Sequence, residues 1–82
     1  MPTENLPFVS GSTNWNVTRS GDWDSDFNMG AGYADMALKE AASNNRPYLI
    51  SFIVKEMKDF DAIEMGFLSR IGERAIKGFL SS

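Results

Sequence analysis

The residues best equipped for chemistry in this sequence are carboxylates in an alternating run, Asp22-x-Asp24-x-Asp26-x-Asn28-x-Gly30. Hard cations such as calcium take several oxygens from a tight turn, and alternating acids supply them. A calcium loop also needs glycine at its sixth position and glutamate at its twelfth. Counted from Asp22, those places hold Phe27 and Tyr33; counted from Asp24, they hold Met29 and Asp35. Neither register fits, so Asp22, Asp24 and Asp26 form a weak calcium candidate, and the expectation is no metal and no cofactor. The plainer reading is an acidic segment at a helix start, where carboxylates suit the positive end of the macrodipole. Gly30-Ala31-Gly32 echoes a phosphate-cradling loop but lacks a third glycine, a preceding strand and a Gly-Lys-Ser/Thr sequence. Helix initiation by small residues accounts for it.

A second constellation is basic. Arg70, Arg74 and Lys77 recur at the spacing of neighbouring helical turns. Such a face could meet nucleic-acid phosphates from the recognition helix of a helix-turn-helix. Against this, Glu73 lies within pairing distance of Arg70 and Lys77, and the net charge is −3. The acid is concentrated in the first half, where Arg19 and Lys39 face Glu4, Asp22, Asp24, Asp26, Asp35 and Glu40. A polyanion binder needs a basic surface, so nucleic acid is the runner-up partner.

The absent residues exclude more. Without cysteine there is no disulfide framework and no thiolate metal site. Without histidine the commonest general base and the commonest zinc ligand are both missing. No Ser-His or Cys-His catalytic pair can be assembled from these residues, and the remaining carboxylates and hydroxyls do not converge in sequence. No catalytic residue is assigned, and a non-enzyme is expected. The N-terminal stretch has neither a basic n-region nor an apolar h-region, and no apolar run approaches the ~20 residues of a membrane span. A cytoplasmic protein without a membrane segment is the expectation.

The elements that would position these side chains follow from hydrophobic period. Asp61 to Leu80 opens with a capping-box spacing, Asp61 and Glu64, and carries Phe67, Ile71, Leu68, Ala75, Phe79, Met65 and Ile76 on one continuous arc. That arc spans roughly 200°, wider than the ~100° stripe of a surface helix, so the final helix should be central. Ser69, Gly72 and Ala75 lie within it. An interior helical glycine costs about 1 kcal/mol, so close helix packing is expected there, against the Pro47–Phe60 helix or the same helix of a second subunit.

Asn28 to Ser43 predicts an Ala-rich helix with Tyr33, Ala34, Ala37, Leu38 and Ala41 inward and Asp35 and Glu40 outward. Pro47 to Phe60 predicts another, with Leu49, Phe52, Ile53, Met57 and Phe60 on one face. The fold class is therefore all-α, three helices at about 29–43, 47–59 and 62–80, with an irregular N-terminal arm. An α+β alternative applies if Tyr48–Val54 is a strand or Trp15–Phe27 a hairpin. Residues 1–27 form the arm, packing its tryptophans on the helices, and residues 28–82 the helical domain.

A chain of 82 residues makes one small domain with a marginal core, for which partner binding or homo-oligomerisation is a reasonable expectation. The function expected is a protein-binding module of the size seen among bacterial and phage accessory or inhibitor proteins. Its partner is another protein, reached through Asp22, Trp23, Asp24 and Asp26, the basic Arg70, Arg74 and Lys77, and any uncovered part of the apolar arc.

Overall fold

The computed structural model describes residues 6–9 and 13–81, in three helices: α1 (Trp23–Ser43), α2 (Leu49–Lys55) and α3 (Ala62–Ser81). Among these residues there is no strand, so Tyr48–Val54 and Trp15–Phe27 resolve away from the β alternatives. Of the predicted arm, residues 1–5 and 10–12 lie outside the described residues, as does the side chain of Phe79.

The first helix starts well before its expected boundary. Asp22 sits in extended backbone and its side chain accepts from the Ser25 N–H, which is N-capping geometry. Asp24 and Asp26 fill the first turn, where the helix dipole favours them. Residues 23–27 were expected to be irregular because Asp and Ser are poor strand formers; at a helix start the same residues are favourable. From there Asp26, Gly30, Ala31, Ala34, Ala37 and Ala41 are buried on one face. At the far end Asn45 adopts φ +52°, Asn45 N–H donates to Ala42 C=O (3.3 Å) and Arg46 N–H to Ala41 C=O (2.7 Å). These two bonds form a Schellman stop, with asparagine where glycine is commoner.

The second helix is shorter than predicted. Tightened bonds from Glu56 N–H to Ile53 C=O and from Met57 N–H to Val54 C=O close it after Lys55. Leu49, Ile53 and Met57 are buried, whereas Phe52 and Phe60, expected on the same face, are exposed. The strict i, i+4 row faces inward, and Phe60 falls beyond the helix end, where the helical period no longer applies.

α1 and α3 make most of the helix–helix packing, while α2 touches α1 only lightly. Their contacts ascend together, Phe27 with Gly66 and Asp35 with Arg70 and Arg74, so the two helices run in the same general sense. Two glycines allow the crossing. A Cβ on Gly30 would overlap the Ile63 carbonyl, and one on Gly66 would overlap the Phe27 carbonyl. By contrast, nothing described lies within 4 Å of a Cβ on Gly72. Ser69 and Ala75 are exposed. Among the described residues, then, nothing packs closely on Gly72, and the close helix approach lies two turns earlier, at Gly66.

The arm belongs to the core. Leu6, Phe8 and Trp15 are buried with Ala34, Ala37, Leu49, Ile53, Ile63 and Phe67. Phe8 stacks at a tilt on Trp15 (5.4 Å between centroids) and on Tyr33 (5.0 Å), and Trp15 meets Phe67 edge-on at 5.1 Å. Asn16 N–H donates to Phe8 C=O at 2.6 Å, fastening the two described pieces of the arm together. Trp23, expected to pack on the helices like Trp15, stands largely in solvent.

Candidate functional site

Four groups of polar side chains could carry function, and the fold assigns each a different neighbourhood. The most buried is Glu64, in the first turn of α3, with 1% of its surface exposed. Its Oε1 accepts from the Asp61 backbone N–H (3.1 Å), the reverse half of the capping box read from the sequence. Its Oε2 accepts from Trp15 Nε1 (2.8 Å) and from the Arg19 guanidinium (2.6 Å). The Asp61 carboxylate turns to Arg19 Nε at 3.2 Å. A polar cleft of about 290 Å³ opens beside this cluster, lined by Trp15, Arg19, Lys58, Asp59 and Glu64 among others. Burial of the carboxylate is compensated by three donors, one of them charged, so the cluster is a strap fastening the arm to α3. Sequence reading found Glu64 as a cap but missed Trp15 and Arg19 as its partners. No local signal links positions 49 and 45 residues apart.

The alternating acids do not converge. Asp22 caps α1, and Asp26, a turn later, is buried and accepts from the Ser20 hydroxyl (2.8 Å) and the Ser20 N–H (3.0 Å). These bonds from the Ser20 hydroxyl and amide hold its carboxyl below the ordinary aspartate range, against the opposing effect of burial. Asp24 lies two residues on, ~200° round the helix, and is exposed. Among the described residues no three acidic side chains gather as metal ligands would. The helix spreads Asp22, Asp24 and Asp26 round its axis, where an extended loop would have collected them.

The basic row on α3 is not a free face. Arg70 pairs with Asp35 of α1 at 2.7 Å and with Glu73 at 3.2 Å, and Arg74 reaches the same Asp35 at 3.3 Å. Lys77 pairs with Glu73 at 3.5 Å. Asp35, expected outward, instead bridges the two helices, because it borders the buried Ala34 row on the side that α3 approaches. Arg70 and Arg74 consequently tie α3 to α1.

What stays open is the end of the molecule where α1 begins. Trp23 is 57% exposed and stacks on Phe27 with ring centroids 4.9 Å apart and planes inclined by 22°. Asp22 and Asp24 flank it in sequence, and both are exposed. A shallow cleft of about 220 Å³ joins Trp23, Gly21, Arg19 and Asp26 to Asp61 and Ala62 at the start of α3. Phe60, also 57% exposed, and the exposed Asp59 precede Asp61 on the chain entering α3. Electrostatically this end is negative, and its apolar area comes from large rings, the combination found where proteins anchor one another.

Among the described residues no helix is long and apolar enough to cross a membrane. In comparisons with protein-family models, curated proteins and solved structures, the chain has no match.

Proposed function

We propose that the protein is a small non-enzymatic protein-binding module, acting in the cytoplasm as an accessory or inhibitor protein of bacterial or phage type. It meets its partner through the acidic aromatic surface at the start of α1. One observation carries this reading: Trp23 is more than half exposed, braced by its stack on Phe27, and flanked by Asp22 and Asp24. A rigid exposed tryptophan is the side chain most enriched among residues that dominate binding energy. Surrounding carboxylates would steer a basic partner and select against acidic ones. The lack of histidine and cysteine speaks for binding over catalysis.

The nucleic-acid reading is not favoured, since Arg70, Arg74 and Lys77 share their charge with Asp35 and Glu73. Affinity capture with the wild-type chain, the Trp23→Ala variant and the Asp24→Lys variant tests the proposal, followed by binding measurements on the purified pair. Trp23→Ala should weaken the complex at least tenfold, about 1.4 kcal/mol or more. Equal capture and equal affinity for all three chains would overturn it.

A further inference from the structure

The outer face of α2 is uncovered, and its chemistry differs from that of the acidic surface at the start of α1. Leu49 and Ile53 turn one side of α2 to the core, so Tyr48, Ser51, Phe52 and Lys55, spaced i, i+3, i+4 and i+7, face solvent together. Tyr48 is 50% exposed and Phe52 44%, and their rings meet edge to face at 5.4 Å. The Arg46 guanidinium lies over the Tyr48 ring, 5.5 Å from its centroid. In chain order the strip alternates cation, ring, ring, cation: Arg46, Tyr48, Phe52, Lys55. These cations are not taken up within the chain. Among the described residues neither Arg46 nor Lys55 has a carboxylate partner, and Arg46 Nε is buried with no acceptor. A buried donor left unsatisfied is costly, and an anion that drew the guanidinium outward would relieve it. The acids that bracket the strip in sequence are engaged elsewhere. Glu40 accepts from Asn44 Nδ2 at 2.6 Å, and Glu56 lines the polar cleft beside Trp15 and Arg19. Residues 36–55 thus hold Lys39, Arg46 and Lys55 against Glu40 alone, a local positive charge in a chain of net charge −3.

We propose that this face of α2 binds single-stranded nucleic acid, with bases stacking on Tyr48 and Phe52 and backbone phosphates held by Arg46 and Lys55. Exposed rings interleaved with unpaired cations suit a strand that offers a π-face and a phosphate at every nucleotide. A duplex keeps its base faces stacked and offers the rings nothing. Two helical turns fall far short of the ~800 Å² per partner of a standard protein interface, whereas a single strand is gripped a few nucleotides at a time. The surface is independent of Trp23, which stands at the other end of α1 from Arg46, and of Arg70 and Arg74, whose charge Asp35 takes up. With two phosphate contacts on an acidic protein the binding is weak, with a dissociation constant on the order of 0.1 mM in low salt.

Fluorescence anisotropy of a labelled oligodeoxythymidylate of about 12 nucleotides tests this, with protein raised to about 1 mM. The wild-type chain should bind in about 20 mM salt and lose about 25-fold in affinity over a tenfold rise in salt, the response to two neutralised phosphates on a single strand. Tyr48→Ala and Phe52→Ala should each weaken binding at least fivefold. Lys55→Gln should roughly halve the salt dependence. All three positions are exposed, and circular dichroism checks that each variant folds as the wild type does. Arg74→Gln and Trp23→Ala should leave oligonucleotide binding unchanged. Absence of binding at the highest concentration would overturn the proposal, as would binding that Phe52→Ala and Lys55→Gln both leave intact. Phe52-dependent co-sedimentation with phosphatidylserine vesicles, without oligonucleotide binding, would also overturn it and give the face to a membrane surface. None of these results bears on the protein-binding reading, which depends on Trp23.

Discussion

Among the described residues, Asp26 and Glu64 are the carboxylates that the fold removes from water, and each holds one stretch of irregular chain against a helix. Their roles differ from what residue type and spacing alone suggest. An alternating run of acids reads as a ligand set only if the backbone is a loop; in a helix Asp22 and Asp26 share a side and Asp24 does not. Capping chemistry was legible at Asp61 and Glu64, because both partners lie within one turn. Trp15 and Arg19 as further donors to Glu64 were not, because the contact is made across most of the chain. The lowered Asp26 carboxyl has a consequence for pH. Its folded value lies below the ordinary 3.8, so its contribution to stability is complete above about pH 4 and lost as pH falls through the folded value. Asp26→Asn should therefore lower the melting temperature at neutral pH, with the gap between the two proteins closing as the pH falls below the ordinary aspartate range, followed by thermal circular dichroism.

At the scale of elements, the glycines separate into two kinds that helical spacing could not distinguish. Gly30 and Gly66 are reciprocal: each lies under a backbone carbonyl of the other helix, so no side chain fits at either. Gly72 has room around it. Gly66→Ala should destabilise the protein by about 3 kcal/mol or more, since backbone rather than a movable side chain must yield. Gly72→Ala should stabilise it by about 0.5–1 kcal/mol through helix propensity alone. Urea unfolding of the two variants tests both signs, and a loss of stability at Gly72 would show that the open space is filled by a neighbour. Helix existence was legible in the Ala row of α1 and the apolar row of α3, because both repeat at the helical period, whereas Tyr48–Val54 reads as strand as well as helix, because its apolar run is short. Boundaries failed where capping decided them: Asp22 started α1 early, and two tightened bonds ended α2 before Met57.

For the molecule as a whole, the arm matters more than its irregular sequence suggests. Phe8 has no exposed surface and touches Trp15, Tyr33 and Phe67, so the two helices and the arm share one aromatic core. Phe8→Ala should cost about 3–5 kcal/mol, a large share of the 5–15 kcal/mol that domains possess. A cooperative loss of near-ultraviolet tryptophan signal at lower denaturant would register it; an unchanged midpoint would mean the arm is peripheral. Its sequence has no period from which that burial could be read. The wide arc of α3 predicted a central helix, but α1 is the element on which both other helices pack; α3 buries Phe67 of that arc, half-buries Leu68 and Ile71, leaves Met65 exposed, and beyond Gly72 exposes Ala75 and Ile76. By itself the sequence determined the first and last helices, the inward Ala34, Ala37 and Ala41 of α1 and the absence of histidine and cysteine chemistry, since helical period and composition are local properties. Only the tertiary structure decided that Gly66 meets Phe27, that Asp35 takes up Arg70 and Arg74, and that Trp15 closes over Glu64. Those contacts join residues 35 to 49 positions apart, and which faces meet at that range depends on the packing of the whole core.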